Sequence, residues 1–340
     1  MGPLVLKHAD YTVGWVCALP KEMTAARAML DEEHEDLSLP PSDRNTYSLG
    51  RIGGHNIAIA CLPKGEIGTN SAATVATRMS STFKFIRFGL MVGIGGGVPS
   101  KMHDVRLGDV VVSMPTNQHG GVVQWDFGKA TTDCEFERTG ALNRPPGVLM
   151  TALAKLESTH QMKESKVSTY LSDMVAKHPK LSEFTRHVPM DDILFDADYD
   201  HIDTNDTCIG CDRRRIASRS PRDHSDITIH YGLIASGNQV IKHGVKRDEI
   251  SNSLGGALCF EMEAAGLMNE FPCIVIRGIC DYADSHKNKQ WQEYAAATAA
   301  AFAKELLNTT PASQVENIRT AEEAVAGAVA GVARAGEFTL

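Results

Sequence analysis

The features that would mark many functional classes are scarce in this 340-residue chain. It lacks a basic excess: 34 Lys and Arg stand against 42 Asp and Glu, a formal net charge of -8. Generic nucleic-acid binding rests on a positive footprint, so no nucleic-acid partner is expected. No apolar run approaches the roughly 18 residues of a membrane span, so no membrane partner is expected either. The opening MGPLVLKHADYT has neither the long apolar stretch nor the small-residue cleavage site of a secretory signal. Eight cysteines are too sparse for a disulfide scaffold. Cys17, Cys61, Cys259, Cys273 and Cys280 sit in apolar runs, where reduced, buried thiols are usual. Together these absences suggest a cytoplasmic protein. No internal repeat is visible. What is present, 43% hydrophobic and 22% charged residues, suits a globular domain with a sizeable core.

Along the chain, short apolar runs alternate with helical patterns. Tyr11 to Leu19 reads as a buried strand ended by Pro20, with a helix over Lys21 to Leu30. Tyr47 to Leu49 and Ile57 to Leu62 flank Gly53-Gly54, a hairpin signature. Thr69 to Ser81 predicts a small-residue helix. Gly89 to Ile94 predicts a strand running into Gly95-Gly96-Gly97, and Asp109 to Met114 another. Pro146 to Ser158 is helical. Ile229 to Ala235, Ala257 to Phe260 and Cys273 to Ile279 are strands, with helices over Met262 to Asn269 and Trp291 to Leu307. This alternation indicates an α/β domain with both sheet faces covered. Residues 160–226 are polar and His/Asp/Arg-rich and read as an insertion packed over, or looping from, the core. Residues 309–340 begin with a linker composition and turn Ala/Gly-rich; Val325, Val329 and Val332 share a helical face there, and the segment is expected to lie outside the core.

Acidic residues at predicted strand ends carry the chemistry. Glu261-Met262-Glu263 joins a strand to a helix, and a carboxylate there can accept the paired hydroxyls of a ribose diol. The plainer alternative is an acidic pair complementing a helix dipole. Asp281, in Arg277-Gly278-Ile279-Cys280-Asp281, lies just past a buried strand, where ligands of open α/β sheets bind. Partial desolvation favours a protonated carboxyl able to donate near neutral pH, although capping of the next segment is an equally ordinary role. Glu22 opens a helix at the same sheet end, placed either to deprotonate a water or simply to complement the helix N-terminus. The run Gly93-Ile94-Gly95-Gly96-Gly97 allows a backbone to approach a ligand, but no Gly-Lys-Ser/Thr follows, so it is not a phosphate loop. Cys208-Ile209-Gly210-Cys211 is half of a zinc pattern. The second CxxC is missing, although His201, His224 and His230 lie nearby, so no metal is expected. The Asn205-Asp206-Thr207 acceptor pattern carries little weight without secretion.

Taken in order, ALPKE, VGIGGGVP, SGNQVI (Ser236 to Ile241), CFEMEAAG and RGICDYAD resemble the nucleoside phosphorylase and nucleosidase superfamily. They are similar above all to the phosphorylase-like domains at the N-terminus of fungal NACHT- or ankyrin-containing receptor proteins. The resemblance implies a three-layer nucleoside-phosphorylase-like α/β fold, with a central mixed, partly barrel-closed sheet flanked by helices. It implies a catalytic domain over residues 10–308, a homo-oligomer, no cofactor, and a small-molecule purine nucleoside or nucleotide as partner. By the same resemblance, Asp281 engages the purine at N7 and N6, and Glu22 activates water. Glu263 holds the ribose hydroxyls with Met262 under the sugar and Glu261 beside it. Gly95, Gly96, Ser236, Asn238, Val240, Ile241 and Arg277 complete the expected substrate site. The phosphorylases of the superfamily carry a Gly-Asp-Pro-x-Arg loop and a later Arg-Val-Gly-Ser loop. Here those places read Leu19-Pro20-Lys21-Glu22 and Met91-Val92-Gly93-Ile94. Both arginines are gone and an acid stands where phosphate would sit, so water is the favoured nucleophile. The implied activity is release of adenine from nucleosides or nucleotides, ATP among them, in a defence or cell-death role. Two alternatives stay open: a phosphate-dependent phosphorylase, and a non-catalytic nucleotide-binding sensor or assembly module. Where the nucleosidases pack a phenylalanine on the base this chain has Val240, leaving Trp125 or Phe127 to supply the contact. Lys64, Arg106, Lys242 and Arg213 to Arg215 are candidate cations for a 5′-phosphate.

Overall fold

A computed structural model describes residues 6–132, 136–186, 190–202, 207–222 and 227–327. The first part of the chain forms β1 (Val13–Cys17), α1 (Pro20–Ala28), β2 (Glu32–Glu33), β3 (Tyr47–Ile52), β4 (His55–Cys61), α2 (Thr69–Thr82) and β5 (Phe88–Gly97). There follow β6 (Val110–Ser113), β7 (Val122–Gln124), β8 (Gly128–Ala130), β9 (Phe136–Arg138), α3 (Gly147–His160) and α4 (Val167–Lys177). The last part forms β10 (Ile229–Ser236), α5 (Gly244–Ser253), β11 (Ala257–Glu261), β12 (Cys273–Asp281), α6 (Gln292–Thr309) and α7 (Ala312–Glu316).

The main sheet runs β11-β10-β6-β12-β5-β1-β4-β3-β2, and β11 also pairs with β5. That extra pairing closes β5, β11, β10, β6 and β12 into a barrel-like ring, from which β1, β4, β3 and β2 extend as an open wing. β5 is the hinge of this design, parallel to β1 and β12 and antiparallel to β11. The expected mixed, partly closed sheet is therefore present. Alternate residues of the central strands serve the two faces. Trp15, Leu90, Ile274 and Ile276 pack on one side with α6, while Val16, Met91, Val275 and Ile279 pack on the other with Ala72, Val75 and Met79 of α2. The Ala-rich α6 is buried along nearly its whole length, as a helix apolar on every side must be.

Two expectations are corrected. Met262 to Asn269 is not an α-helix; only a 3₁₀ turn forms, over Ala264–Gly266. Side chains capture its opening N–H groups: Glu261 accepts from Glu263 and Ala264, and Ser236 Oγ from Ala265. Pro272 then directs the chain into β12. Within the 160–226 insertion, α4 has an ordinary apolar stripe, and Val167, Leu171 and Met174 join the core beside α6. Their i, i+4, i+7 spacing was the readable signal. Beyond 309 the chain docks rather than leaves: Val315 and Ala321 are buried, and Ala321 donates its N–H to the Ile86 carbonyl at 2.7 Å. Val329 and Val332 lie outside the described residues. Among the described residues, no helix is long and apolar enough to cross a membrane.

Candidate functional site

The glycine stretch of β5 is the spine of the site. Glu22 is held at its third position in α1 by the turn after β1, where Pro20 opens the helix with the backbone angle it prefers. Its Oε2 accepts from the N–H groups of Ala18 and Leu19 at 2.7 and 2.9 Å, and its Oε1 accepts from Ile94 N–H at 2.8 Å. The carboxyl therefore does tie down a helix N-terminus, yet it also crosses to β5. A carboxylate offers about four acceptor positions; backbone donors fill three, leaving one on Oε1. Burial pushes the Glu22 carboxyl up from its ordinary value, opposed by Arg277 and those three N–H groups. Gly93 is what permits this approach. A Cβ there would overlap Glu22 Oε1 and come within 2.6 Å of Arg277 Nη1.

Behind Glu22 lies a buried cluster of acids around one cation. Arg277, from β12, is 1% exposed; it donates to Glu261 at the end of β11 and lies 3.6 Å from Glu263 Oε2. Three buried carboxyls share this single guanidinium, an arrangement that cannot keep every acid charged at little cost. The strain falls on Glu263, which is pushed up to about 7 by burial, with Glu261 and Glu22 adding repulsion against the pull of Arg277. Glu263 Oε1 also accepts from Gly68 N–H at 3.3 Å, at the start of α2. Met262 is half-buried between the two glutamates. Arg277, expected among substrate-binding residues, sits beneath the acids; among the described residues its buried Nε has no partner.

Asp281 ends β12, in register with Gly96 of β5. Its Oδ1 accepts from Ala283 N–H at 2.8 Å and lies 3.3 Å from Lys287 Nζ, while Cys280 Sγ is 3.2 Å from Oδ2. A Cβ at Gly96 would come 2.8 Å from Asp281 Oδ1, so this glycine makes room for the carboxyl. Ala283 beside it has φ of 53°, a left-handed conformation that costs a non-glycine residue about 1–3 kcal/mol and clusters at functional sites. Asp281, Asp284, Tyr282 and Leu107 face Ile193, Cys208 and Arg213 of the insertion across a cavity of about 190 Å³. Burial pushes Asp284 up from its ordinary value, opposed by Arg277's counterpart on this side, Arg247.

The remaining expected residues divide. Ser236, fully buried, supports the turn carrying Glu263 through its bond from Ala265. Asn238 is exposed; its Oδ1 accepts from Thr69 N–H and Oγ1, tying the SGNQVI segment to α2 near Gly68. Gly95 packs against the Phe260 carbonyl, Ile241 is buried, and Val240 is 49% exposed. Trp125 packs edge-on to Phe260 beside Gly237, whereas Phe127 is 57% exposed. Of the candidate cations, Arg106, Arg214 and Arg215 are engaged by Asp104, Asp212 and Asp196. Arg213 lines the cavity beside Asp281, and Lys64 and Lys242 are exposed. Asp284 closes the RGICDYAD stretch read in the sequence, whereas Lys287 escaped that reading because nothing in its spacing marks it; the loop after β12 brings both toward Asp281. His230 pairs with Asp109, away from His201 and the two cysteines, and His224 lies outside the described residues, as does Asn205-Asp206.

Comparison with known proteins places this geometry. The chain is 50% identical over 303 residues to a nucleotide-binding leucine-rich repeat (NLR)-like protein of Hyaloscypha variabilis, covering 89% of this chain but only 30% of that protein. It is 26% identical to a 5′-methylthioadenosine/S-adenosylhomocysteine nucleosidase of Mycobacterium bovis, over 88% of this chain and 97% of the relative. In structure it resembles futalosine hydrolase of Helicobacter pylori with a TM-score of 0.57 at 18% identity, covering 89% of this chain and 99% of that one. The model of the phosphorylase superfamily matches residues 12–309, and with the ring-closed sheet and its ordered motifs the chain belongs to that superfamily.

Proposed function

We propose that this chain hydrolyses the N-glycosidic bond of purine nucleosides or nucleotides bearing adenine. The observation that carries the reading is Glu22, a buried carboxylate pinned by three backbone N–H groups at the mouth of β1 and β5. An anion fixed there repels phosphate and can take a proton from water. The relatives named as nucleosidases and as a hydrolase support the same direction.

In the proposed reaction, the C1′–N9 bond stretches and its electron pair moves onto the purine while C1′ becomes oxocarbenium-like. Asp281 delivers a proton to N7 of the departing base, with the Lys287 ammonium 3.3 Å away as the neighbouring donor. The oxygen of a water bonds to C1′ as Glu22 takes its proton through the acceptor position left on Oε1. Glu263, as carboxylate, accepts the 2′- and 3′-hydroxyls and favours the positive charge developing on the ribose. Water is consumed, and adenine and the free sugar, or sugar phosphate, are formed. An acceptor at the base site suits the 6-amino group. The 50% identity to an NLR-like protein supports placing this chemistry in an effector module of a receptor-type protein.

The test is product identification after incubation with adenosine, AMP and ATP in phosphate-free buffer. Free adenine is expected, unchanged in rate by added phosphate. Ribose 1-phosphate with strict phosphate dependence would convert the reading to phosphorolysis. Tight nucleotide binding without any adenine, in folded protein, would convert it to a sensor.

A further inference from the structure

The insertion brings together three side chains that the proposed hydrolysis does not use. One donor atom from each of His201, Cys208 and Cys211 lies within 4.8 Å of the other two. The cysteines flank a tight turn in which Cys211 N–H donates to the Cys208 carbonyl at 3.2 Å. His201 is held in place: its backbone N–H donates to Ser285 Oγ at 2.9 Å, and its Nε2 lies 3.1 Å from the Thr207 carbonyl.

A second, separate observation points at the same place. The side chain of His286 is only 5% exposed, yet among the described residues neither ring nitrogen has a hydrogen-bond partner. Asp284 Oδ1, at 3.9 Å from Nδ1, is too far to serve. A buried polar atom left unmatched forfeits the hydrogen bonds it would make in water, so two idle nitrogens on one ring call for a partner. The ring centroid lies 5.5 Å from that of His201, the His286 carbonyl is 4.0 Å from Cys208 Sγ, and His286 and Cys208 line the same cavity.

We propose that His201, Cys208, Cys211 and His286 form a zinc site. Two thiolates and two imidazoles are the donor set of tetrahedral structural zinc. Zinc–ligand bonds of about 2.0–2.3 Å draw such donors to roughly 3.5–3.8 Å apart, so side-chain adjustments of about an ångström bring His201, Cys208 and Cys211 to that spacing, and His286, lining the same cavity as Cys208, is the fourth donor. The two thiols release their protons to solvent on binding, and nothing is oxidised or reduced. The missing second CxxC is replaced by two histidines from separate parts of the chain. Because His286 follows Asp281 by only a few residues, the metal would staple the insertion to the loop after β12 and fix the wall facing Asp281. Occupancy of this site does not depend on the hydrolase reading.

The experiment is elemental analysis of the full chain, purified in reductant without chelator. About one zinc per chain is expected, with near-total loss in Cys208→Ser and Cys211→Ser and at least tenfold weaker retention against a competing chelator in His286→Gln. Cobalt(II) alone, added to the metal-stripped wild-type chain, should give the visible bands of a tetrahedral thiolate site; this measurement decides the matter even if the serine variants fail to fold. Substoichiometric zinc with no such cobalt spectrum, or a Cys208–Cys211 disulfide in the native protein, would overturn the proposal.

Discussion

Raising the pH from 6 to 8 should switch on ligand binding through Glu263. This carboxyl is pushed up to about 7 from an ordinary 4.5 because burial disfavours its charge and Glu261 and Glu22 repel it. A ribose diol donates its hydroxyls to the carboxylate, so only the ionised form is competent. About a tenth of the sites are ionised at pH 6 and about nine tenths at pH 8, so kcat/KM for adenosine should rise about tenfold across that interval and then level. The empty protein shows the opposite sign. An acid whose folded value is raised contributes stability that is complete below about pH 4.5 and is lost as pH rises through about 7. The loss is on the order of 3 kcal/mol, readable as the difference between urea denaturation of wild type and Glu263→Gln at each pH. Glu263→Gln should also weaken the plateau kcat/KM by about 10–100-fold, the worth of hydrogen bonds to a charged acceptor, and flatten its rise. A profile identical in wild type and Glu263→Gln would refute the assignment of the diol to this residue.

Other perturbations probe the remaining supports. Asp281→Asn should reduce adenine release by about 10²–10⁴-fold while leaving nucleoside binding and thermal stability near those of the parent; unaltered turnover would remove Asp281 from the chemistry. Gly93→Ala places a methyl on Glu22 Oε1 and near Arg277 Nη1, so it should lower kcat more than it raises KM, as measured by steady-state kinetics. Arg277→Met strips the one cation from buried Glu22, Glu261 and Glu263 and should destabilise the fold by about 3–5 kcal/mol at neutral pH. Chemical denaturation at pH 5, where Glu22 and Glu263, both pushed up by burial, are more readily protonated, should recover part of that loss.

Much of the sheet was legible because each strand's apolar run is long enough to mark burial on both faces. Val13–Cys17, Phe88–Gly97 and Cys273–Asp281 all fall where those runs predict. The turn after β11 was not legible: Met262 to Asn269 has helical composition, and only the carboxyl of Glu261 and the hydroxyl of Ser236, reaching its N–H groups, hold it to a 3₁₀ turn. The α4 stripe was readable but masked by the polar residues around it. Lys287 carries no local pattern that would single out its partner, and the visible CxxC of Cys208 and Cys211 did not by its spacing tell His201 from His224 or His230, nor point to His286.

The sequence alone determined which residue types were available: acids at strand ends, glycines along β5, no arginine pair for phosphate, and strand and helix periods that demand a two-faced sheet. These are local properties, carried by neighbours in the chain. Only the tertiary structure decided that Glu22, Glu261 and Glu263 share one buried guanidinium, and that Asp281 meets both Lys287 and the insertion. Closing β5 onto β11 sets those distances, and a contact between residues hundreds of positions apart depends on strand register and burial, which no short window of sequence contains.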